Sequence, residues 1–303
     1  MRGSPEYCQD TKLNHLARSM ERTLVSDSLS ERVQRKLARV WLLQRKAVVH
    51  RLRRIASAGV VRRHLFVAGM QRSGTNMMMD VLERSLETDV VHERDSRAFE
   101  KYKMRPRPVI KALAEHSAAP VFVIKALCEL QELRSLLDDF SPGAAVWIIR
   151  DYEDVVNSML ASFRNQAKQV QRIAVDRLGS GWLGEGMSDE THALVRKLVH
   201  PGVDDASAAA IQWYFRNILL FDQELDRDSR VLPVEYEALV SDPQQHLRRI
   251  FEFAGLTYTP AVAEGVFGSS IRRRRPVPIE PAVREHCDRL RDRLKESIAA
   301  RRQ

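Results

Sequence analysis

The sequence predicts a three-layer α/β protein in which helices cover both faces of a central parallel sheet. From residue 64 onward, short apolar runs alternate with longer stretches of helical periodicity, which is the pattern of repeated strand and helix units. The runs are apolar throughout rather than at alternate residues, as expected of strands buried on both faces. We therefore predict one α/β domain over residues 63–303, preceded by a basic helical segment over residues 1–62.

The strands are predicted where the apolar runs are short, at residues 65–68, 89–92, 121–125, 144–150 and 230–235. The clearest helices fill the intervals, at residues 75–86, 129–138, 154–164, 206–224, 243–254 and 281–299. The last two begin at proline, which suits a first helical turn because the missing N–H would have no partner there. The stretch 166–205 has the weakest pattern, and the glycines of RLGSGWLGEGMSDE predict a mobile loop.

Composition and cysteine content limit the class of protein. Hydrophobic residues make up 44% of the 303-residue chain, which is enough for a sizeable core. Cys8, Cys128 and Cys287 form no CxxC pair and predict neither a disulfide framework nor a metal site. No apolar run has the length of a signal peptide or of a transmembrane helix. We therefore expect a cytoplasmic protein.

Positive charge is concentrated near the N-terminus. The net charge is +9, and residues 32–63 contain eleven Lys or Arg and no acidic residue. An apolar stripe at helical spacing runs through this segment, at Val33, Leu37, Val40, Ala47, Val48, Leu52 and Ile55. One interpretation is a leading helix that packs on the domain and leaves its basic face in solvent. The other is a surface helix that attracts anionic lipid, nucleic acid or an acidic acceptor, which would place the protein peripherally at a membrane. Nothing else in the chain indicates a nucleic-acid-binding module.

The stretch HLFVAGMQRSGTNMMMDVLERS contains a glycine turn between a predicted strand and a predicted helix. Its Gly69-x4-Gly74 spacing is that of a phosphate-binding loop, where backbone N–H groups and a helix N-terminus surround an anion. A nucleoside triphosphatase would continue with Lys, for the β- and γ-phosphates, and Ser or Thr, for magnesium. Here Gly74 is followed by Thr75 and Asn76, and the cation comes earlier, as Arg72. Because a sulfuryl group carries less negative charge than a phosphoryl group, the altered loop favours sulfuryl transfer without a metal ion.

This loop resembles that of the sulfotransferases that use 3′-phosphoadenosine-5′-phosphosulfate (PAPS) as donor. QRSGTNM is similar to the family's 5′-phosphosulfate loop, commonly PKSGTTW, with Arg72 at the lysine position and Ser73, Gly74 and Thr75 matching. The resemblance implies that these residues and Asn76 bind the donor. It also implies the P-loop-like sulfotransferase fold.

A second motif, IIRDYEDVVNSMLASFR, is similar to the family's 3′-phosphate motif, RNPKDxxxSxxxxxR. Arg150, Asp154, Ser158 and Arg164 stand at its Arg, Asp, Ser and final Arg, although Tyr152 replaces its proline. A third stretch, VLPVEYEALVSDPQQHLRRIFEFAGL, is similar to the strand and helix that follow in these enzymes. The three motifs occur in the family's order.

The second motif also has a physical interpretation of its own. A strand that ends at Arg150 presents a guanidinium at the carboxyl edge of the sheet, and Ser158, two turns into the next helix, can face the same pocket. Together they would bind a ribose 3′-phosphate and select PAPS over a nucleotide without that group. The alternative is a surface ion pair between Arg150 and Glu153 or Asp154.

The chain departs from the family at two functional positions. Leu127 stands where the phenol and steroid enzymes have a catalytic histidine after the retained Lys125, so the base must come from elsewhere. Met77 replaces the tryptophan that stacks on adenine in those members, which leaves Tyr236 as the candidate for that contact.

The basic run SSIRRRRPVP stands where related enzymes have a flexible Arg-Lys-Gly loop over the 3′-phosphate. Arg272 and Arg273 are the candidates to close on the nucleotide. A solvated run of like charges is the alternative, and the sequence leaves both open.

The catalytic base is expected in TDVVHERDSRAFEKY, just past the second predicted strand. In the carbohydrate and tyrosyl-protein sulfotransferases, a glutamate near this place takes the acceptor proton. His92 and Glu93 are neighbours in an extended stretch, so they point to opposite sides and only one is expected to face the cleft. We favour Glu93 as the base, because a carboxylate between Arg72 and Lys125 is held ionised and ready to accept a proton. His92 is the second candidate, and a surface pair of Glu93 with a nearby arginine is the noncatalytic alternative.

These observations predict a PAPS-dependent sulfotransferase that needs no metal ion. Its acceptor, a hydroxyl or an amine, would attack sulfur in line while Arg72 and Lys125 neutralise charge on the sulfuryl and bridging oxygens. A P-loop-type nucleotide-dependent kinase is one alternative, against which the missing lysine counts. A noncatalytic nucleotide-binding or membrane-surface protein is the other. The sequence leaves open whether the acceptor is a sugar, a lipid, a phenol or a peptide, and the stretch 166–205 is expected to lie near it.

Overall fold

The computed structural model describes residues 33–34, 37, 39–53, 62–266 and 276–301. The chain divides into two compact units, Met1–Leu52 and Arg53–Gln303. The boundary predicted between residues 62 and 63 stays a prediction.

In the first unit, residues 39–52 form one continuous helical stretch. The predicted apolar stripe is exposed, at 60% for Val48 and 61% for Leu52 within this helix and at 64% for Leu37 before it. Ile55 lies outside the described residues. No helix among the described residues is long and apolar enough to cross a membrane. The exposed stripe leaves the surface-helix interpretation open.

The second unit is built on five parallel strands in the order β2–β5–β1–β6–β7. The strands of this unit are β1 (Arg63–Gly69), β2 (Thr88–Val91), β3 (Phe99–Glu100), β4 (Lys103–Met104), β5 (Val121–Ala126), β6 (Gly143–Ile149) and β7 (Val231–Glu235). The short strands β3 and β4 pair separately as an antiparallel hairpin. All five predicted strands are confirmed, because continuous apolar runs are found where a strand is covered on both faces.

Helices of this unit lie between the strands and after them. They are α1 (Thr75–Glu83), α2 (Arg107–His116), α3 (Leu133–Asp139), α4 (Tyr152–Ser162), α5 (Gln166–Val175), α6 (Asp189–Leu198), α7 (Asp205–Asn217), α8 (Leu219–Asp222), α9 (Tyr236–Ser241), α10 (Pro243–Ala254) and α11 (Pro281–Ala300). Helix α10 has the bounds that its proline start predicts. The helix predicted over residues 206–224 is instead divided at Ile218 into α7 and α8.

The prediction of a mobile loop in the stretch 166–205 is wrong for much of its length, because the stretch contains α5 and α6. Helix α5 buries Val170 and Ile173. Helix α6 begins where the Ser188 side chain accepts a hydrogen bond from the Thr191 backbone N–H. The glycine-rich part between the two helices and the short connection over residues 199–204 lack an α-helix, and the former includes a 3₁₀ turn at Gly181–Gly184.

Two apolar layers enclose the sheet and give the predicted three-layer architecture. On one face, Phe66 and Trp147 pack in the larger core cluster with Trp213 of α7. On the other, Val67 packs with residues of α1 and α10, including Phe251. All five strands run in one direction, so their carboxyl ends and the loops that follow them meet at one edge. The candidate site lies along this edge.

Candidate active site

The loop between β1 and α1 requires glycine at two positions. Gly69 has φ 140°, and a Cβ there would lie 2.6 Å from the Ile148 carbonyl oxygen. Gly74 has φ 100°, and a Cβ there would lie 2.4 Å from the Tyr236 ring. The next residue, Thr75, begins α1, so the N-terminus of this helix opens at the loop. The sequence spacing therefore corresponds to a backbone turn of the anion-binding kind.

Ser73 occupies the inside of this loop. Its side chain is fully buried, and its hydroxyl has no hydrogen-bond partner among the residues that the structure describes. Buried hydroxyls are normally satisfied by protein or water, so an unsatisfied one in an anion-binding turn fits a site that is completed by a ligand.

Arg72 connects the loop to the second motif. Its backbone lies in the left-handed region, with φ 69°. Its Nε donates to Ser158 Oγ of α4 at 2.8 Å, and its carbonyl oxygen accepts from Arg150 Nη1 at 3.2 Å. Two motifs that are almost 80 residues apart in the sequence therefore meet through side chain and backbone of one residue.

Arg150 lies at the end of β6 and is only 7% exposed. Its guanidinium stands over the Tyr236 ring, 4.7 Å from the ring centroid, and 3.8 Å from Asp154 Oδ2. The ion pair of Arg150 with Asp154, which the sequence left as an alternative, is therefore present, but it is largely buried and does not lie at the surface. Tyr236 contacts the position of Gly74 as well, so one ring packs against both motifs.

Lys125 and Glu93 form the other charged part of the site. Lys125, at the end of β5, is 3% exposed, and its Nζ donates to Glu93 Oε2 at 2.6 Å and to Asn76 Oδ1 at 2.7 Å. His92 turns to the opposite side, where its Nε2 lies 3.1 Å from Glu83 Oε1 of α1. The two candidate bases thus point apart, although β2 ends at Val91 and Glu93 lies in a turn rather than in the extended stretch that the sequence predicts.

These groups line one cavity of about 720 Å³, which we call the active-site cavity. Its lining includes the site residues Arg72, Gly74, Thr75, Asn76, Glu93, Lys125, Arg150, Ser158 and Tyr236. Ser73, His92 and Arg164 do not contribute to it. Arg272 and Arg273 lie outside the described residues, so their predicted role stays a prediction.

Three aromatic side chains that no sequence motif marks also line the active-site cavity, and we call the part that they line its aromatic end. Tyr102 comes from the β3–β4 hairpin, Phe163 from the end of α4 and Trp182 from the 3₁₀ turn. Tyr102 is 61% and Phe163 40% exposed, so both rings lie at the cavity mouth. No shared spacing marks them in the sequence, because three separate segments supply them.

A buried arginine supports this end of the active-site cavity. Arg216 of α7 donates from Nη2 to the Leu127 carbonyl oxygen at 2.9 Å, and its guanidinium lies 5.2 Å from the centroid of the Trp182 ring. Burial lowers the pKa of Arg216 to about 10, which still leaves it protonated at neutral pH. Burial raises the pKa of Cys128, which also lines the cavity, to about 12, so its thiol stays protonated.

A second cavity, of about 550 Å³, adjoins the first and shares Arg150 and Asp154 with it. Its wall carries Glu237, whose Oε1 accepts a hydrogen bond from the Asp151 backbone N–H at 3.0 Å. Burial raises the pKa of Glu237 to about 7, and burial also raises the pKa of Asp151. The carboxyl of Glu237 is therefore partly protonated at neutral pH.

The fold and the site thus define an α/β protein with an anion-binding loop, a buried arginine at the next strand end and a lysine–glutamate pair between them. A family model for the sulfotransferase domain matches residues 62–272, and the chain belongs to this family. None of the curated proteins compared with the chain matches it.

Three solved structures are among those to which the chain is similar. The sulfotransferase domain from the curacin biosynthetic pathway is 14% identical, covering 77% of this chain and 99% of its own, with a TM-score of 0.46. A sulfotransferase from Alicyclobacillus acidocaldarius is 14% identical, covering 80% of this chain and 96% of its own, with a TM-score of 0.45. Mouse sulfotransferase SULT7A1, solved in complex with PAP, is 15% identical, covering 77% of this chain and 85% of its own, with a TM-score of 0.44.

Proposed function

We propose that the protein transfers a sulfuryl group from PAPS to a hydroxyl acceptor. The observation that carries the proposal is the contact between the two motifs, in which Arg72 bonds to Ser158 and its carbonyl oxygen accepts from Arg150. This contact brings donors suited to a 5′-phosphosulfate and donors suited to a 3′-phosphate into one cavity. A donor that carries both groups fits that arrangement.

Each charged residue has a distinct role in the proposed reaction. PAPS supplies the activated sulfuryl group. Arg72 and Lys125 hold fixed positive charge where negative charge develops during transfer, so no reorganisation is needed at that moment. Glu93 Oε2, bonded to Lys125 Nζ at 2.6 Å, accepts the proton that leaves the acceptor hydroxyl as the new oxygen–sulfur bond forms. The bond between sulfur and the bridging oxygen of PAPS breaks as the new bond forms, and PAP leaves with the electron pair of that bond. Arg150 and Ser158 orient the nucleotide.

Ligand-induced stabilisation tests the donor. The product 3′-phosphoadenosine-5′-phosphate (PAP) should raise the Tm at micromolar concentration, because stabilisation follows affinity for the native state. AMP and ATP, with or without magnesium, should raise the Tm far less, since neither carries the ribose 3′-phosphate. Equal shifts from PAP and from ATP with magnesium would favour a kinase instead. Transfer of label from ³⁵S-labelled PAPS to fractionated acceptors then tests the reaction itself.

A further inference from the structure

A further cavity of about 480 Å³ adjoins the aromatic end of the active-site cavity. The two cavities share Gln71, Phe163 and Trp182 in their walls. Phe163 and Trp182 therefore stand between the two spaces, with the active-site cavity and Glu93 on one side. A ligand that stacks on these rings can reach both.

The wall of this further cavity is rich in amide side chains. Gln71, Gln166, Gln169 and Gln212 all line it, and we call it the glutamine-lined cavity. Gln166 and Gln212 are each only 1% exposed, and Gln212 Nε2 donates to Gln166 Oε1 at 2.8 Å. That bond uses one of the two polar atoms of each amide. An amide offers a donor and an acceptor together, which matches a hydroxyl better than it matches an alkyl chain. Arg172 is the one charged residue of the lining, and its Nε donates to the Lys168 carbonyl oxygen at 3.2 Å.

The walls of the cavity are held in place by bonds of their own. Ser180 Oγ donates to the Gln169 carbonyl oxygen at 3.0 Å, which ties the glycine-rich segment to α5. Arg216 Nη1 lies 3.4 Å from the Leu183 carbonyl oxygen, and its guanidinium lies under the Trp182 ring. The aromatic wall and the amide wall are thus fixed relative to each other, as a binding site requires.

We infer that the glutamine-lined cavity is an acceptor subsite for the hydroxyl-rich part of a saccharide. This inference rests on the proposed function. The sugar unit that receives the sulfuryl group lies in the active-site cavity with its hydroxyl at Glu93. The next unit lies beyond Phe163 and Trp182, where aromatic faces contact the apolar face of a sugar ring and the glutamines bond its hydroxyls.

The other acceptor classes fit these walls less well. A single phenol is short enough to stay at the aromatic end, so it would leave the glutamines unused. An acyl chain in the glutamine-lined cavity would remove the half-buried amides of Gln71 and Gln169 from water without giving them a hydrogen bond, which is costly. The acceptor is therefore a saccharide of at least two units.

Steady-state transfer from ³⁵S-labelled PAPS tests this inference with one variant and one matched control. Gln169→Leu removes an amide that lines the glutamine-lined cavity. Gln171→Leu makes the same change two residues later in α5, where the side chain instead donates to the Pro201 carbonyl oxygen at 3.3 Å. The acceptors are gluco-, galacto- and manno-configured di- and trisaccharides, their monosaccharides, 4-nitrophenol, a long-chain alcohol and a tyrosine peptide.

Disaccharides should be sulfated with a KM roughly tenfold or more below that of their monosaccharides. Gln169→Leu should raise the disaccharide KM roughly tenfold, the scale of one lost hydrogen bond to a ligand. It should leave the monosaccharide KM, kcat and PAP binding unchanged, and Gln171→Leu should change none of these. A preference for the phenol, the alcohol or the peptide, or equal effects of the two variants, overturns the inference.

Binding without the donor separates this inference from the proposed function. A trisaccharide should bind the donor-free protein in calorimetry and bind Gln169→Leu more weakly. If the trisaccharide binds in this way but neither PAP binding nor transfer occurs, the proposed function fails while a saccharide site remains. If PAP binds and the trisaccharide does not, the subsite fails alone.

Discussion

Replacing Glu93 by glutamine tests the assignment of the catalytic base. The substituted amide would keep an oxygen near Lys125 Nζ but could not accept a proton, so turnover should fall roughly a hundredfold or more, the usual range for a general base. Because the amide oxygen can still accept from Lys125, and Asn76 Oδ1 stays 2.7 Å from the same Nζ, the loss of stability should be small. We expect about 1–2 kcal/mol, well below the cost of leaving a buried charge without any partner.

The assay is single-turnover transfer with saturating donor, accompanied by thermal unfolding. A loss of about 1–2 kcal/mol corresponds to a fall in Tm of roughly 2–8 °C for a unit of this size. Glu83→Gln is the matched control, because it removes the carboxylate that pairs with His92 outside the active-site cavity and should keep normal turnover. Near-normal turnover in Glu93→Gln together with loss of turnover in His92→Asn would refute the assignment and make His92 the base.

Three further predictions follow from contacts in and beside the active-site cavity. Arg150→Met should reduce the Tm shift by PAP to that by AMP, because the guanidinium at the end of β6 is lost. Gly74→Ala should lower the Tm more than Gly181→Ala, since both have positive φ but only at Gly74 would Cβ meet a ring, at 2.4 Å. Burial raises the pKa of Glu237 from 4.5 to about 7, so the folded state holds this proton more tightly than the unfolded state. The Tm of the wild type minus that of Glu237→Gln, measured in a pH series, should therefore fall as pH rises from about 4.5 to 7 and then level off. The first prediction fails if PAP still raises the Tm of Arg150→Met more than AMP does. The second fails if Gly74→Ala and Gly181→Ala lower the Tm equally. The third fails if the Tm difference between the wild type and Glu237→Gln does not change with pH.

The strands and the phosphate-binding loop could be predicted because their causes are local. A strand covered on both faces needs a continuous apolar run. The turn after β1 needs glycine at position 69, because the backbone there packs directly against the Ile148 carbonyl oxygen. Helix α6 could also have been predicted from the sequence, because Ser188 is a suitable N-cap residue before an acidic first turn and the last turn is basic. The glycines that precede Ser188 instead favoured a loop, and the capping and charge pattern of α6 was given too little weight.

The aromatic end of the active-site cavity could not be predicted in the same way. Tyr102, Phe163 and Trp182 come from three segments, and only the packing of those segments brings the rings to one cavity. The sequence contains a partial signal for Arg216, because a basic residue near the end of the largely apolar helix α7 must be either exposed to solvent or hydrogen-bonded inside the protein. The sequence offers no means of choosing between those two, whereas the structure shows bonds to Leu127 and Leu183.

The Lys125–Glu93 pair predicts how the base variant should bind PAP. Lys125 is almost fully buried, and Glu93 is its one ion-pair partner among the described residues. A buried cation needs a counter-charge, which Glu93 supplies in the free protein. In Glu93→Gln that counter-charge is missing, so the phosphate charge of PAP has more to gain beside Lys125 than in the wild type. PAP should therefore bind Glu93→Gln at least as tightly as the wild type in calorimetry, although the variant has lost turnover.

In Lys125→Met the cation itself is absent, and PAP should bind more weakly. A large loss of PAP affinity in Glu93→Gln would mean that Glu93 shapes the donor site, and the loss of turnover could then no longer be assigned to proton transfer.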